Sequence, residues 1–408
     1  MKNNPTYIIV GAGIVGLSTA MHLAQKNSGT VLVLETEKDV AEHQTGHNSG
    51  VIHSGLYYKP GSAKAKNCAD GREAMYNFCK EYGIAFDRCG KIVVATLPEE
   101  LPRLAELEKR GIANGLTGVK QLSKTELKEY EPHVAGIAGL FVPQTGIVNY
   151  KDVCKVYQRI LFEAGGEVRL GCKFISCSRD NNGLAIETNQ GKINASFLIN
   201  CGGLQSDRVA KACGVEPGVQ IVPFRGEYYD LVPEKNYLVK NLIYPVPDPS
   251  LPFLGVHLTR MIHGGIEAGP NAVLAFRREG YKLLDISIRD MFGLALSPGF
   301  WKMAGKFWKT GLGEFHRSIS KKAFLKALQR LMPDLQMQDI HPGNAGVRAQ
   351  AMSPDGKLVD DFHIVQAERM IHVLNAPSPA ATASLAIGNT IATMVLSNST
   401  KSPVKVVA

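Results

Sequence analysis

The chain has 408 residues, of which 45% are hydrophobic and 20% are charged, and this balance excludes a mainly disordered protein. The formal net charge of +9 favours anionic partners, which include a small acidic molecule, an anionic membrane surface and nucleic acid. The eight cysteines form no C-x-x-C pair, so the sequence predicts no metal site and no disulfide framework, and it favours a reducing cytoplasm.

The first predicted elements are a strand, a glycine turn, a helix and a second strand. Residues 7–10 are a short apolar run, residues 17–25 have helical character, and residues 30–34 form the next apolar run. Glycines interrupt the apolar stretch, so it is neither a signal peptide nor a membrane span. We therefore predict one βαβ unit at the start of the chain.

The turn in this unit reads Gly11-Ala12-Gly13-Ile14-Val15-Gly16, and Glu35 ends the second strand. Between a strand and a helix, this spacing is the dinucleotide-binding fingerprint, and its alternative interpretation is a purely structural turn. The glycines allow a tight turn and close approach to a pyrophosphate, which the helix N-terminus also attracts. The predicted cofactor-binding residues are Gly11, Gly13, Ile14, Val15, Gly16 and Glu35, with Glu35 accepting hydrogen bonds from the adenosine ribose. The motif alone leaves FAD and NAD undecided.

The later predicted elements belong to two kinds of sequence pattern. Helical character at residues 155–164 and strand character at residues 197–200 continue the α/β pattern, whereas residues 91–96 and 227–231 look like strands of another sheet. We predict an α/β fold in which a Rossmann-like domain is interleaved with a second domain built on a mixed β-sheet with covering helices. The first domain comprises residues 1–85, 150–218 and 340–408, and the second comprises residues 86–149 and 219–339.

Residues 298–332 contain two predicted basic amphipathic helices. Trp301 and Trp308 lie on the apolar face of the first helix, Phe324 and Leu328 lie on that of the second, and lysines occupy the other faces. Such faces are most often buried, here against the second domain. The alternative is shallow attachment to an anionic membrane surface, which aromatic anchors and lysines suit.

The segment at residues 45–62 reads TGHNSGVIHSGLYYKPGS, and its small residues let a backbone lie against a flat ring. It resembles the D-amino-acid-oxidase-like flavoproteins and, among them, the L-2-hydroxyglutarate dehydrogenase/oxidase family, whose members carry a very similar HNSGVIH-x-G-x-YY-x-PGS signature. Further motifs extend the resemblance over almost the whole chain: FRGEYY at 224–229, YPVPDPSLPFLGVHLTR at 244–260, GPNAVLAF at 269–276, AGVRAQAMSPDGKLVDDF at 345–362 and NAPSPAATAS at 375–384.

The resemblance implies an FAD-binding domain, a substrate-binding domain and oxidation of L-2-hydroxyglutarate, a small dicarboxylate 2-hydroxy acid, to 2-oxoglutarate. Hydride would pass to flavin N5, and the electrons would leave to oxygen or to a membrane quinone. A related amine or glycerol-3-phosphate oxidoreductase is the alternative enzyme, and an FAD-binding sensor or scaffold is the alternative without catalysis. Nucleic-acid binding is disfavoured because the basic residues are dispersed.

We expect a cytoplasmic protein and keep open peripheral attachment to the inner face of the membrane. The oligomeric state stays open.

The resemblance also assigns further contacts to the cofactor. The start of a helix at about residue 381 would direct N–H groups at the flavin, although an ordinary proline-rich turn is the alternative. The additional predicted cofactor-binding residues are Thr45, His47, Asn48, Ser49, Gly50, Phe174, Cys201, Gly202, Pro379, Ala380 and Ala381.

The general base is expected to be a histidine, because this side chain titrates near neutral pH. His53, in the predicted flavin-facing segment, and His257, in the predicted substrate-facing sheet, are the leading catalytic candidates, and His47 is a weaker one. Each histidine has a second interpretation, in which it bonds a carbonyl or shapes the pocket.

The resemblance implies that Arg348 is the partner of a substrate carboxylate, since related amine and hydroxy-acid oxidases carry an arginine near the carboxylate at this position. A planar guanidinium suits this role, because it pairs with a carboxylate through two hydrogen bonds. The alternative is an ion pair at the surface or between domains. A second carboxylate needs its own partner, for which the candidates are Arg225, Arg260, Tyr57 and Tyr58.

Overall fold

The computed structural model describes residues 5–180, 183–248, 254–398 and 405–407, so residues 249–253 of the 244–260 motif lie outside the described residues.

The strands of the first part of the chain are β1 (Tyr7–Val10), β2 (Val31–Leu34), β3 (Val51–Ile52), β4 (Phe86–Asp87), β5 (Lys91–Ala95), β6 (Lys120–Ser123), β7 (Ala138–Val142), β8 (Gly146–Val148), β9 (Glu167–Arg169), β10 (Phe174–Asp180) and β11 (Gly183–Thr188). The later strands are β12 (Gly191–Ala195), β13 (Phe197–Asn200), β14 (Gln220–Leu231), β15 (Leu242–Pro245), β16 (His257–Arg260), β17 (Ile266–Gly269), β18 (Val273–Leu274), β19 (Ile340–Met352), β20 (His363–Ala367), β21 (Met370–Asn375) and β22 (Lys405–Val407). The α-helices are α1 (Ile14–Gln25), α2 (Ala63–Glu81), α3 (Leu101–Ala113), α4 (Lys124–Tyr130), α5 (Tyr150–Glu163), α6 (Ser206–Ala212), α7 (Ile288–Ala295), α8 (Pro298–Ile319), α9 (Lys321–Leu328) and α10 (Ser384–Asn398).

A seven-stranded sheet has the order β22-β20-β21-β13-β1-β2-β9. The strands from β21 to β9 pair in parallel, whereas β20 pairs antiparallel with both of its neighbours. Strands β1, β2 and β13 are apolar and buried along their length, as expected for parallel strands covered on both faces. Helix α1 packs against α10 so closely that a Cβ atom on Gly388 would lie 2.2 Å from Ser18 Oγ. The predicted βαβ unit is thus confirmed, with its glycine turn at the carboxyl end of β1.

A nine-stranded mixed sheet has the order β18-β14-β17-β16-β15-β5-β7-β6, and β19 adds to it by pairing with β14. One face carries Ile92, Ile243 and Leu258, which pack against Phe324 and Leu328 of α9. Because side chains alternate along a strand, Lys91, Tyr244 and His257 lie on the opposite face. The face that carries these three residues, here called the polar face, also carries the buried apolar residues Val93, Ala95 and Leu242.

Two smaller three-stranded sheets complete the strand pairing, with the orders β10-β11-β12 and β3-β8-β4. The α/β fold class with a Rossmann-like part and a mixed sheet is confirmed. The domain boundaries stay a prediction. The pairing of β19 with β14 joins residues 340–352, which we assigned to the Rossmann-like domain, to the nine-stranded sheet.

The two amphipathic helices differ in their surroundings. In α9, Phe324 and Leu328 are fully buried, whereas Trp301 is 60% exposed and Trp308 is 56% exposed on α8. The predicted burial of the apolar faces is therefore found for α9, but not for the tryptophan face of α8. Phe300 and Phe307 of α8 do pack against a separate small core.

Among the described residues, no helix combines the length and the apolar character needed to cross a bilayer.

Candidate active site

A cavity of about 1280 Å³ is lined by residues of both large sheets and of the loops between them. It includes the glycine turn after β1, the segment before α2, the polar face of the nine-stranded sheet and the turn that precedes α10. Most of the residues predicted from the sequence to bind cofactor or substrate line this one cavity. The exceptions are Gly50, Arg225 and Arg260.

The glycine turn has a shape that side chains would prevent. Gly11 has a φ of +102°, and a Cβ atom on it would lie 2.6 Å from the Cys201 carbonyl oxygen. A Cβ atom on Gly16 would lie 2.0 Å from the Gly11 carbonyl oxygen. The Ile14 N–H donates to Thr45 Oγ1 at 3.1 Å, which ties the predicted flavin segment to the start of α1. The backbone is thus open to close approach by a pyrophosphate at a helix N-terminus.

The Glu35 carboxylate is held at the end of β2 by two backbone groups. It accepts hydrogen bonds from the Ala12 N–H at 2.7 Å and from the Glu37 N–H at 3.0 Å. Each carboxylate oxygen retains a further lone pair, so the group can also accept from ribose hydroxyls. Phe174 and Gly202 line the cavity beside it. These residues fit the adenosine half of a dinucleotide such as FAD.

The predicted flavin-facing segments are joined by a threonine. Thr382 Oγ1 accepts a hydrogen bond from the His53 N–H at 3.0 Å and lies 3.0 Å from the Tyr150 hydroxyl, which donates to the Val51 carbonyl. Helix α10 begins at Ser384, later than predicted, because residues 380–383 form a turn. The cavity wall at this end is therefore a hydrogen-bonded junction of loop, turn and helix α5.

Gly50 does not line the cavity, but its backbone conformation constrains the segment that does. Its φ is +65°, and a Cβ atom on it would lie 2.6 Å from the Val148 carbonyl oxygen. Its N–H donates to Asn48 Oδ1 at 2.8 Å, so it positions a neighbour that does line the cavity.

The two leading histidines lie in the same part of the cavity. Burial, followed by the charges of Lys91 and other neighbours, lowers the pKa of His53 to about 3. Burial also lowers the pKa of His257 to about 4. The structure thus differs from our expectation of titration near neutrality, because neither ring is solvated. Both imidazoles are neutral at neutral pH, the form that accepts a proton.

The hydrogen bonds of His257 indicate which nitrogen is available. Its Nδ1 lies 2.9 Å from the Gly255 carbonyl, which only accepts, so Nδ1 carries the proton and Nε2 has the free lone pair. The ring stacks on Tyr244 with centroids 4.0 Å apart. His47 instead contacts the Ala345 carbonyl at 3.0 Å and stacks on Tyr281, with ring centroids 4.1 Å apart.

Arg348 projects from β19 into the cavity and donates a hydrogen bond to Tyr228. Its positive charge contributes to the lowered pKa of both His53 and His257, so the guanidinium lies near both rings. Arg348 is therefore the cavity arginine that the structure brings to the histidines.

Arg225 and Arg260 are placed elsewhere by strand alternation. Arg225 is 1% exposed and points away from the face of Gly226, which lines the cavity. Its guanidinium donates to the Glu227 carboxylate at 2.8 Å and to the Lys282 carbonyl at 2.8 Å. The Arg260 guanidinium donates to the Lys240 carbonyl at 2.7 Å and lies 3.4 Å from the Asp87 carboxylate.

The structure adds residues that the sequence did not indicate. Tyr228 and Tyr244 line the cavity beside the predicted Tyr57 and Tyr58. Lys91, at the start of β5, is 1% exposed, and its Nζ lies 4.4 Å from the Tyr57 ring centroid and 5.0 Å from that of Tyr244. Burial lowers the pKa of Lys91 to about 7.

Comparisons with known proteins identify the family of the chain. A family model described as FAD dependent oxidoreductase matches residues 6–394. The chain is 54% identical to the L-2-hydroxyglutarate dehydrogenase of Indibacter alkaliphilus, over 94% of this chain and 97% of that relative. It is 48% identical to the L-2-hydroxyglutarate dehydrogenase of Escherichia coli K12, over 95% of this chain and 92% of that relative. The L-α-glycerophosphate oxidase of Mycoplasma pneumoniae, solved with FAD bound, superposes with a TM-score of 0.79 over 97% of this chain and 95% of that one, at 20% identity. That last likeness concerns the fold alone.

Proposed function

The chain belongs to the FAD dependent oxidoreductase family and, within it, to the L-2-hydroxyglutarate dehydrogenases, and from this premise we propose that it oxidises L-2-hydroxyglutarate to 2-oxoglutarate. The observation that carries the proposal is the identity of 54% across 94% of the chain and 97% of that relative. FAD is the cofactor.

The residues that would hold FAD follow the length of the cavity. Glu35 would bind the adenosine ribose, the turn from Gly11 to Gly16 would bind the pyrophosphate, and the residues 45–53 and 379–382 would surround the flavin. When bound, FAD supplies the ring that accepts the C2 hydrogen of the substrate together with its two electrons.

The protein's part in the oxidation is to remove a proton and to orient the substrate. The C2–H and hydroxyl O–H bonds break, a C=O bond forms, and the hydroxyl proton passes to a neutral histidine. Either His53 or His257 is suited to this role, because burial keeps both rings unprotonated at neutral pH. The free Nε2 of His257 supports its candidacy, and the bond from the His53 backbone to Thr382 supports a fixed position for His53.

Arg348 would bind the carboxylate next to the reacting carbon. Its planar guanidinium gives two parallel hydrogen bonds, and its contact with Tyr228 restricts its orientation. A fixed carboxylate would hold C2 and its hydroxyl in one orientation relative to the histidines, which is the geometric requirement for proton removal.

One experiment tests cofactor and substrate together. Purified protein is expected to show a flavin spectrum that L-2-hydroxyglutarate bleaches in the absence of oxygen. Glycerol 3-phosphate and an L-amino acid serve as controls, because they are substrates of the alternative enzyme classes. Bleaching by a control but not by L-2-hydroxyglutarate would contradict the assignment, and no bleaching at all would favour an FAD-binding sensor.

The second part of the proposal concerns the electron acceptor and where it is located. Helix α8 presents Trp301, Trp308 and Leu312 to solvent on one face, and Phe292 and Ile288 are exposed on α7. The Trp301 indole N–H donates to the Ala295 carbonyl at 2.8 Å, so the two helices meet at this aromatic side chain. We name the exposed apolar side chains of these two helices the α7–α8 patch.

Lysines flank this patch. Lys302, Lys306 and Lys309 are exposed on α8, and their helical positions lie beside the tryptophan face. Aromatic side chains bordered by lysines suit the interface of an anionic bilayer, at about 1 kcal/mol per lysine near the surface. We therefore propose peripheral attachment through the α7–α8 patch, with a membrane quinone as the electron acceptor.

Liposome flotation tests this attachment. The wild-type protein is expected to float with anionic liposomes at low salt and to be released at high salt, whereas a Trp301→Ser, Trp308→Ser double variant should stay in the soluble fraction. Ile112→Ser is the matched control, because Ile112 is equally exposed at 60% but lies on α3. Equal flotation of the double variant and the wild type would contradict the patch, and failure of the wild type to float would leave oxygen or a soluble acceptor.

A further inference from the structure

Lys91 is a buried cation without an internal counterion. Among the described residues, no carboxylate forms an ion pair with its Nζ, and no side chain or carbonyl accepts a hydrogen bond from it. The two aromatic rings of Tyr57 and Tyr244 are its neighbours, at 4.4 and 5.0 Å. A buried charge costs free energy unless it is paired, so an anion beside Lys91 would stabilise its ammonium form.

A second polar group beside Lys91 also lacks a partner. The Tyr57 hydroxyl is buried, and no described group forms a hydrogen bond with it. The ammonium lies over the ring of the same tyrosine. An ammonium and a phenol O–H on neighbouring side chains are both donors, and a carboxylate accepts from both.

Of these two donors, Tyr57 lines the cavity, and Lys91 contacts the rings of Tyr57 and Tyr244. Lys91 pairs with Leu242 across the sheet, and Tyr244 and His257 lie on the same face. The Lys91 ammonium lies 5.0 Å from the centroid of the Tyr244 ring, and this ring stacks on that of His257 with centroids 4.0 Å apart. The rings of Tyr57 and Tyr244 that flank it also line the cavity.

The other candidate partners for a second carboxylate are already engaged. Arg225 is bound to Glu227, Arg260 lies beside Asp87, and Tyr58 is hydrogen-bonded to Ser378. A substrate with two carboxylates would place one on Arg348. Lys91 and Tyr57 differ from these candidates, because the described residues provide no counterion for the ammonium and no partner for the hydroxyl.

We propose that Lys91 and Tyr57 form the subsite for the substrate carboxylate that lies farther from the reacting carbon. They would thereby select dicarboxylic over monocarboxylic 2-hydroxy acids. This inference rests on the proposed function, because it assumes a substrate with two carboxylates. Lys91 and Tyr57 act here as binding and specificity residues.

The test compares two substrates on the FAD-loaded protein. L-2-hydroxypentanoate has a methyl group where L-2-hydroxyglutarate has its distal carboxylate, so it reports on every feature of the site except that carboxylate. Lys91→Met should raise the KM for L-2-hydroxyglutarate by roughly 30-fold or more, because losing one partner of a buried charge pair costs about 2 kcal/mol or more. Tyr57→Phe should raise it by roughly 10-fold. The KM for L-2-hydroxypentanoate should change less than about threefold in both variants.

Glutarate binding gives a readout that needs no turnover. Its Kd, measured from the change in the flavin spectrum, should rise in parallel with the KM in both variants. Lys235→Met is the control for loss of a lysine charge, because Lys235 pairs with Asp339 at 3.7 Å and does not line the cavity. Tyr57→Phe removes one oxygen atom, so it remains informative if Lys91→Met fails to retain FAD.

The possible outcomes distinguish failure of the subsite proposal from failure of the proposed function. Equal losses with both substrates would overturn the subsite and give Lys91 a general role in keeping the histidines neutral. Unchanged KM and Kd values would also overturn it. If L-2-hydroxyglutarate fails to bleach the wild-type flavin, the proposed function fails, and glutarate affinity still decides whether a carboxylate binds at Lys91.

Discussion

Replacing Arg348 by alanine removes the guanidinium that we place on the carboxylate next to C2. The side chain lines the cavity beside Tyr228, close enough to both histidines for its charge to lower their pKa values. Loss of one partner of a buried, hydrogen-bonded charge pair costs about 2–5 kcal/mol. Since about 1.4 kcal/mol corresponds to tenfold, we expect kcat/KM to fall by roughly 30- to 5000-fold.

The variant also changes the protonation of the base candidates, and the sign of that change can be worked out. Removing a nearby positive charge raises the pKa of His53 and His257. Burial remains the largest cause of both lowered values, so the rings stay neutral at pH 7. The loss measured at neutral pH therefore reports on carboxylate binding and not on protonation.

The assay is anaerobic stopped-flow reduction of the flavin by L-2-hydroxyglutarate. Arg348→Lys should recover only part of the activity, because an ammonium keeps the charge but lacks the planar fork. Arg260→Ala is the matched control, since its guanidinium is held by the Lys240 carbonyl beside Asp87, and it should change kcat/KM less than about threefold. If Arg348→Ala retains FAD and shows wild-type kcat/KM, the proposed carboxylate site is wrong.

Three further predictions concern the base, the second carboxylate and the cofactor. Alanine in place of the histidine that acts as base, His53 or His257, should slow flavin reduction by roughly 10²- to 10⁴-fold while FAD stays bound, and near wild-type rates in both variants would place the base elsewhere. The affinity for glutarate should fall as the pH rises through about 7, because Lys91 of the free protein then loses its proton, and a pH-independent Kd from 6 to 9 would refute this. Glu35→Ala should weaken FAD binding by roughly 1.5–3 kcal/mol, measured as the Kd of the apoprotein for FAD, and an unchanged Kd would remove Glu35 from the ribose site.

The cofactor end of the site was largely predictable because its geometry is local. The shape of the turn from Gly11 to Gly16 depends on which residues tolerate its backbone, and these residues are adjacent in the sequence. Glu35 follows one helix and one strand later. The segments at 45–58 and 375–382 were indicated by their resemblance to a family, since their contact through Thr382 joins residues that are distant along the chain.

Other features could not be read from local patterns. Helix α2 was missed because polar residues and Gly71 interrupt its apolar spacing, although Ser62 caps it by accepting from the Ala65 N–H. Lys91 begins a strand, where a lysine usually reaches solvent. Its burial comes from the pairing of β5 with β15 and β7, which no short segment contains.

The arginines illustrate the limit of a motif as a guide to function. Arg225 lies in the FRGEYY motif and Arg260 in the motif that contains His257, yet each is an odd number of positions from a residue that lines the cavity. Strand alternation therefore directs their side chains away from it. A shift of one residue along a strand therefore decides whether a side chain points into the cavity or forms a structural ion pair outside it.

The same alternation explains why the two amphipathic helices have different surroundings. The polar face of the nine-stranded sheet carries Lys91, Tyr244 and His257, so their sequence neighbours Ile92, Ile243 and Leu258 point to the opposite face. That face is covered by α9, and its apolar residues are buried there. Helix α8 packs on a small core through Phe300, Met303 and Phe307, whereas Trp301 and Trp308 are 60% and 56% exposed. Exposed tryptophans next to lysines suit an anionic interface, so this difference supports α8 rather than α9 as the site of the proposed membrane attachment.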